Sequence, residues 1–238
     1  MHIFYDSTLT PETQSFALSE EESKHACRVM RLKEGDEIGM VNGKGCSFIG
    51  RITVAHPKHC QVEIVSFEQK EQEKKSIHLA IAPTKNSERL EWFLEKATEI
   101  GVTEITLLIC SNNERKQVKI ERLEKIIIAA MKQSKRLYLP VLHPLTPLKE
   151  FVIAHPNGLI AHCYDGEKKS LSEVFKPANC PILIGPEGDF SREEVDITLQ
   201  QGYQTITLGE NRLRTETAGL YAVMQAQLTG NKPKISNS

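Results

Sequence analysis

Two glycine-bearing loops in the C-terminal half carry the residue types and spacing best suited to chemistry. The first is Leu183-Ile184-Gly185-Pro186-Glu187-Gly188-Asp189-Phe190-Ser191. An apolar strand ends at its first glycine, and Ser191 with Glu194 forms a capping-box pattern that opens a helix. Ligands of α/β sheets bind outside the carboxyl ends of strands, and glycine lets the backbone come close to them. Glu187 and Asp189 place negative charge at this helix start, which repels a phosphate. A neutral or cationic ligand, such as a sulfonium, suits the loop better. The same spacing also reads as a tight strand-to-helix turn that binds nothing.

The second loop is Leu208-Gly209-Glu210-Asn211-Arg212-Leu213-Arg214-Thr215-Glu216-Thr217-Ala218. Its helix begins near Thr215, and a first helical turn offers free N–H groups that can bind the edge of an adenine. Glu216 reads equally as a simple complement to the helix dipole. Arg212 and Arg214 do not, because cations are disfavoured just ahead of a helix N-terminus. They point to an anionic partner.

Other chemistries are set aside. The 238 residues contain no G-x-x-x-x-G-K-[ST] phosphate loop. Gly43-Lys44-Gly45 is followed by a strand, so Asn42-Gly43 reads as a hairpin turn and not a dinucleotide fingerprint. None of the six cysteines shares a C-x-x-C spacing, and no metal is expected. The N-terminus shows no basic flank ahead of an apolar run, and no apolar run nears the roughly 20 residues that span a bilayer. A reducing cytoplasm is expected.

A net charge of -1 excludes a chain that is basic throughout, but not a local patch. Residues 112–136 hold eight Lys/Arg against three Glu, whereas the first 72 residues hold eight Lys/Arg against eleven Asp/Glu.

The elements that must position these loops follow from periodicity. Strands are predicted at 38–41, 48–55 and 60–67, and a capped helix at 23–30, which together describe a small β-barrel-like domain over 1–70. The polar run Glu68–Lys75 holds no strand-like residue and marks a boundary. Beyond it, strands at 77–82, 105–110, 159–163, 181–185 and 205–208 alternate with helices at 87–100, 118–134, 192–201 and 215–228. Such alternation predicts an α/β domain with a mostly parallel sheet over 76–232. The tail, 230–238, is expected to fray.

Taken together, Leu-Ile-Gly-Pro-Glu-Gly and Leu-Gly-x-x-x-Leu-Arg-Thr-Glu-Thr-Ala resemble the RsmE family, the 16S ribosomal RNA uracil-N3 methyltransferases of the SPOUT superfamily. His25–Asp36, Lys96–Val102 and Gln133-Ser134-Lys135-Arg136 are similar to further segments of that family. The resemblance runs through nearly the whole chain. Asp189, where the family often has Gly, and Lys132, where it often has Glu, depart from it.

The resemblance implies a PUA-like N-terminal barrel and a SPOUT-type C-terminal domain with a deep trefoil knot. It implies a homodimer, S-adenosylmethionine as cofactor, and 16S rRNA or the small ribosomal subunit as partner. Motif matching assigns cofactor contacts to Leu183, Gly185, Pro186, Gly188, Leu208, Gly209, Leu213, Thr217 and Ala218. His162 joins them as the start of a third loop, although a lone strand-end histidine is more often merely packed.

Uracil N3 becomes nucleophilic on losing its proton, and an arginine can stabilise the charge that then forms on the ring oxygens. Arg136 and Arg214 are the candidates, with Glu187 as base or, on the plainer reading, a turn-holding carboxylate. RNA contacts are expected from Arg28, Arg31, Lys33, Arg115, Arg122, Lys125 and Lys132. The competing functions are a ribosome-assembly factor that binds RNA without catalysis, and a methyltransferase acting on another base or on a ribose.

Overall fold

The computed structural model describes residues 1–72, 75–176 and 180–229. The chain divides into one unit of Met1–Gln72 with Met131–Leu139 and a second of Glu73–Ala130 with Pro140–Ser238. The return of 131–139 to the first unit has no counterpart in the sequence pattern. The tail expected to fray, 230–238, lies outside the described residues.

The first unit holds β1 (Ile3–Tyr5), β2 (Ser15–Ala17), α1 (Glu20–Lys24), β3 (Glu37–Val41), β4 (Cys46–Val54) and β5 (Gln61–Gln69). Its sheet runs β1-β3-β4-β5-β2. Among the described residues β1 and β2 are not paired with each other, so the expected barrel is a half-barrel. Phe4, Ile38, Met40, Phe48, Ile52 and Val62 fill its core. The β3–β4 hairpin forms at the predicted turn, where Gly43 and Gly45 take φ of 69° and 98°. The Asn42 side chain accepts the N–H groups of Lys44 and Cys46 at 2.9 and 3.0 Å.

Two expectations need correction here. The helix over 23–30 is α-helical only to Lys24 and continues as a π-helical turn, His25–Val29, in which Met30 N–H donates to the His25 carbonyl at 3.0 Å. Glu68 and Gln69 belong to β5 despite their polarity, because their backbones pair with Ser47 and Cys46 of β4. Their side chains are solvent-exposed, and strand pairing there needs no apolar face.

The second unit alternates strands and helices. In order they are β6 (His78–Ile81), α2 (Ser87–Ile100), β7 (Glu104–Ile109), α3 (Ile120–Gln133), β8 (Val141–Pro147), α4 (Leu148–Ala154), β9 (Leu159–Ala161) and β10 (Lys169–Ser170). They continue with α5 (Leu171–Val174), β11 (Ile182–Ile184), α6 (Arg192–Gln200), β12 (Gln204–Thr207) and α7 (Thr215–Thr229). The last turn of α3 passes into the first unit. The seven strands run β10-β12-β9-β11-β6-β7-β8, and every pairing is parallel. Central β11 is buried at all three residues, as a strand covered on both faces must be.

Capping sets the helix ends. Asn86 accepts the Glu88 N–H at 2.8 Å to start α2, and Gly101 ends it at φ 118°. Ser191 and Glu194 complete the predicted capping box of α6. Strand β8 was not legible because it contains Pro144 and Pro147; it tolerates them as the edge of the sheet, where a missing N–H breaks no ladder.

Candidate active site

Strands β12, β9 and β11 are neighbours, so the loops leaving their carboxyl ends converge on one side of the sheet. A cavity of about 560 Å³ opens there, within the 300–1,000 Å³ or so of typical small-molecule sites. Its walls come from 161–163 and Lys168 after β9, from 184–187 and Asp189 after β11, from 206–214 after β12, and from the first turn of α7.

The structure brings most of the sequence candidates together. His162, Gly185, Pro186, Glu187, Leu208, Gly209, Leu213, Arg214 and Ala218 all line the cavity. Three stand apart from its lining. Leu183 is fully buried in the core beneath it. Gly188 lies against Asn112, whose side chain would be 3.2 Å from a Cβ built there. Thr217 faces an adjoining groove with Arg89, Trp92, Arg212 and Arg214. Arg136 belongs to the first unit, where its backbone N–H donates to Met131.

Hydrogen bonds tie the loops to one another. Glu187 Oε1 accepts the Lys85 N–H at 2.9 Å, and Arg212 donates to the Glu187 carbonyl at 3.2 Å. Thr215 Oγ1 donates to the Gly185 carbonyl at 3.1 Å, fixing the start of α7 against the β11 loop. The Glu187 carboxylate thus ties its loop to the backbone at Lys85. The Arg214 guanidinium, exposed at the cavity, has no partner among the described residues.

Asp189, read from the sequence as loop charge and as a departure from the family, also shapes the site. Its φ of 65° is a left-handed conformation that favours glycine. The aspartate is held there by accepting the Phe190 N–H at 2.8 Å and the Cys163 N–H at 2.7 Å. It thus pins the β9 loop to the β11 loop. Lys168, unforeseen, donates to the carbonyls of His162 and Tyr164 at 2.8 and 2.5 Å. Only the left-handed requirement at 189, implied by the family's frequent glycine, was a usable signal for either residue.

Both ring nitrogens of His162 are buried without a hydrogen-bond partner among the described residues. Burial, and then the Lys168 charge, hold the imidazole pKa below its ordinary 6.5. The unfolded chain takes up a proton near pH 6.5 where the folded chain does not, so stability present above that pH is lost as pH falls toward the folded value. His162→Leu is expected to remove that part of the acid dependence. Denaturation midpoints of both proteins from pH 7.5 to 5 check it, and parallel profiles would contradict it.

The expected RNA contacts divide. Arg28, Arg31 and Lys33 are exposed, with Arg28 on the π-helical turn and Arg31 at φ 57°. Lys125 is exposed on α3 and has an interaction of its own. Three others are already engaged. Arg115 donates to the carbonyls of Thr84 and Lys85, Arg122 pairs with Glu91 at 2.7 Å, and Lys132 pairs with Glu22 at 3.1 Å. The formal surplus over 112–136 overstates the charge free to meet a phosphate.

Comparison with known proteins places these features in context. Residues 71–227 match a family described as an RNA methyltransferase domain, and residues 18–65 one described as an RNA methyltransferase PUA domain. A Synechocystis protein named ribosomal RNA small subunit methyltransferase E is 34% identical over 83% of this chain and 68% of its own length. The crystal structure of a probable rRNA-methyltransferase from Porphyromonas gingivalis is 38% identical, with a TM-score of 0.84 over 95% of this chain and 99% of that one. The putative methyltransferase Lpg2936 from Legionella pneumophila, in complex with its cofactor SAM, is 30% identical, with a TM-score of 0.84 over 95% of this chain and 96% of that one.

Proposed function

This chain belongs to the RsmE family of S-adenosylmethionine-dependent small-subunit ribosomal RNA methyltransferases, and from that premise we propose that it methylates N3 of one uridine in 16S rRNA. The observation that carries this reading is the convergence of the β9, β11 and β12 loops on one cavity beside an unpartnered arginine.

The cavity fits the cofactor. Ile184, Ile206, Leu208 and Leu213 supply apolar wall for an adenine, while Glu187, Asp189 and Glu210 suit a cationic sulfur. A Cβ at Gly209 would meet nothing within 4 Å, so the backbone there is open to close approach. When bound, S-adenosylmethionine supplies a methyl group on a sulfonium, open to in-line displacement. Gly185, Gly209 and the first turn of α7 bind and orient from the protein side. Arg214 offsets the negative charge that a uracil oxygen gains as N3 loses its proton.

The groove beside the cavity supports an RNA substrate. It carries Arg89, Arg212 and Arg214 around Trp92, which is 44% exposed. Arg214 there can meet phosphate, while Arg89 pairs with Glu216 at 3.7 Å and Arg212 with the Glu187 carbonyl, and an indole can stack on a base. A homodimer completes the proposal. Tyr221, Met224 and Leu228 form an exposed apolar stripe along α7, at a spacing that faces one side of a helix. Among the described residues no helix is long and apolar enough to cross a membrane, and the cytoplasm is the proposed location.

Nucleoside mass spectrometry of 16S rRNA incubated with the protein and S-adenosylmethionine tests the reaction. N3-methyluridine is the expected product; a ribose-methylated nucleoside, another modified base, or no product would contradict it. Asp189→Gly is expected to lower cofactor affinity about five- to tenfold, the loss of roughly one charge-assisted hydrogen bond. Stability should change little, since the relaxed φ offsets part of the loss. Calorimetry with S-adenosylmethionine measures it, and unchanged affinity would show that the Cys163 contact does not shape the cavity.

A further inference from the structure

The register of the sheet gathers a second group of chemically active side chains at the end away from the cavity. His78 opens β6 and pairs with Glu104, which opens β7. Thr106 pairs with His143 of β8. Side chains two apart on a strand share a face, as do aligned residues on neighbouring strands. His78, Glu104, Thr106 and His143 therefore stand together on one face, at the amino ends of the strands.

Their atoms converge on one carboxylate oxygen. His143 Nε2 lies 3.3 Å from Glu104 Oε2, and His78 Nδ1 lies 3.8 Å from the same atom. One ligand atom from each of the three residues lies within 4.8 Å of the others. We propose that His78, Glu104 and His143 form a zinc-binding site.

Zinc bonds of about 2.0–2.2 Å to nitrogen and oxygen put tetrahedral ligands roughly 3.3–3.6 Å apart. The Glu104–His143 edge already has that length, and the widest edge closes by no more than about 1.5 Å. The second shell is also present. His78 Nε2 is 2.8 Å from Thr106 Oγ1. With a cation on Nδ1, Nε2 would donate to that hydroxyl, which fixes the ring's orientation. Phe151 packs edge-on to His78 at 5.3 Å between ring centroids and restrains the ring.

Two imidazoles and one carboxylate select zinc over magnesium or calcium, which favour all-oxygen shells. Glu104 and His143 side chains are 37% and 40% exposed, so an ion can enter and water can take the fourth position. His155 packs beside His78, 5.3 Å between centroids, without joining the set. The ligands come from three strands, one of them the edge, so the ion would staple that end of the sheet. This departs from the sequence expectation of no metal, because the ligands have no motif spacing along the chain.

Zinc chloride titrated into metal-stripped full-length protein tests the site, with Co²⁺ as the spectroscopic stand-in. One saturable equivalent is expected, with a Tm rise of about 5 °C at a hundredfold excess over Kd. Glu104→Gln and His143→Asn should each abolish that equivalent and the Tm rise, while S-adenosylmethionine binding and the metal-free Tm stay near wild type. The cobalt spectrum should lack a thiolate charge-transfer band, which separates this site from the free cysteines. A thiolate band, equal zinc binding by both variants, or no zinc-dependent Tm change would each overturn the proposal. Failure of methyl transfer would not bear on it.

Discussion

Arg214→Ala is expected to lower kcat/KM for methyl transfer about 10²–10³-fold, the usual loss when one donor to a developing anion is removed. Its neighbour Arg212 is spent on the Glu187 carbonyl, so it cannot substitute. Arg214 lines both the cavity and the adjoining groove, and its guanidinium has no competing partner among the described residues. Arg214→Lys should recover only part of the activity, because an ammonium lacks the planar fork. Steady-state rates with 16S rRNA and calorimetry with S-adenosylmethionine separate the roles: kcat should fall while cofactor affinity holds. A variant that loses cofactor affinity and keeps kcat would place Arg214 in cofactor binding instead.

The largest effect on stability is expected from Gly158→Ala. Gly158 precedes β9, at the amino end of the strand, where the chain passes between Pro181 and Tyr203. An added Cβ would stand 2.3 Å from Tyr203 Cε1 and 2.6 Å from the Pro181 carbonyl oxygen. Neither neighbour gives way cheaply. The Pro181 carbonyl accepts the Leu159 N–H at 2.8 Å, and the Tyr203 hydroxyl donates to the His155 carbonyl at 2.5 Å. Overpacking of this kind costs about 3 kcal/mol, or roughly 6–12 °C in Tm for a chain of this size. Thermal unfolding checks it, and a fall under about 2 °C would mean that the sheet opens there without strain.

How much was legible follows from what each feature depends on. The bounds of α2 could be read because an apolar stripe, an Asn cap and a terminating glycine all agree locally. The cavity's loops could be read because glycines and misplaced arginines are local signals too. Strand β8 and helix α4 could not, since prolines mask the edge strand and α4 is short. Leu183 and Thr217 belong to the right motifs, yet a motif does not say which side a side chain faces; the core took one and the groove the other. The pairing of Arg122 with Glu91 and of Lys132 with Glu22 was hidden for the same reason, as the partners are far apart in the chain. His78, Glu104 and His143 come together only through strand register, which no local pattern records.

The central claim is that the cavity formed by the three loops holds the methyl donor. Ala218 lines it from the first turn of α7, and a tryptophan at that position would fill it. Calorimetry with S-adenosylmethionine should give one equivalent of binding per chain for the wild type and none for a folded Ala218→Trp variant. No heat from folded wild type, or undiminished binding by the variant, would contradict the account.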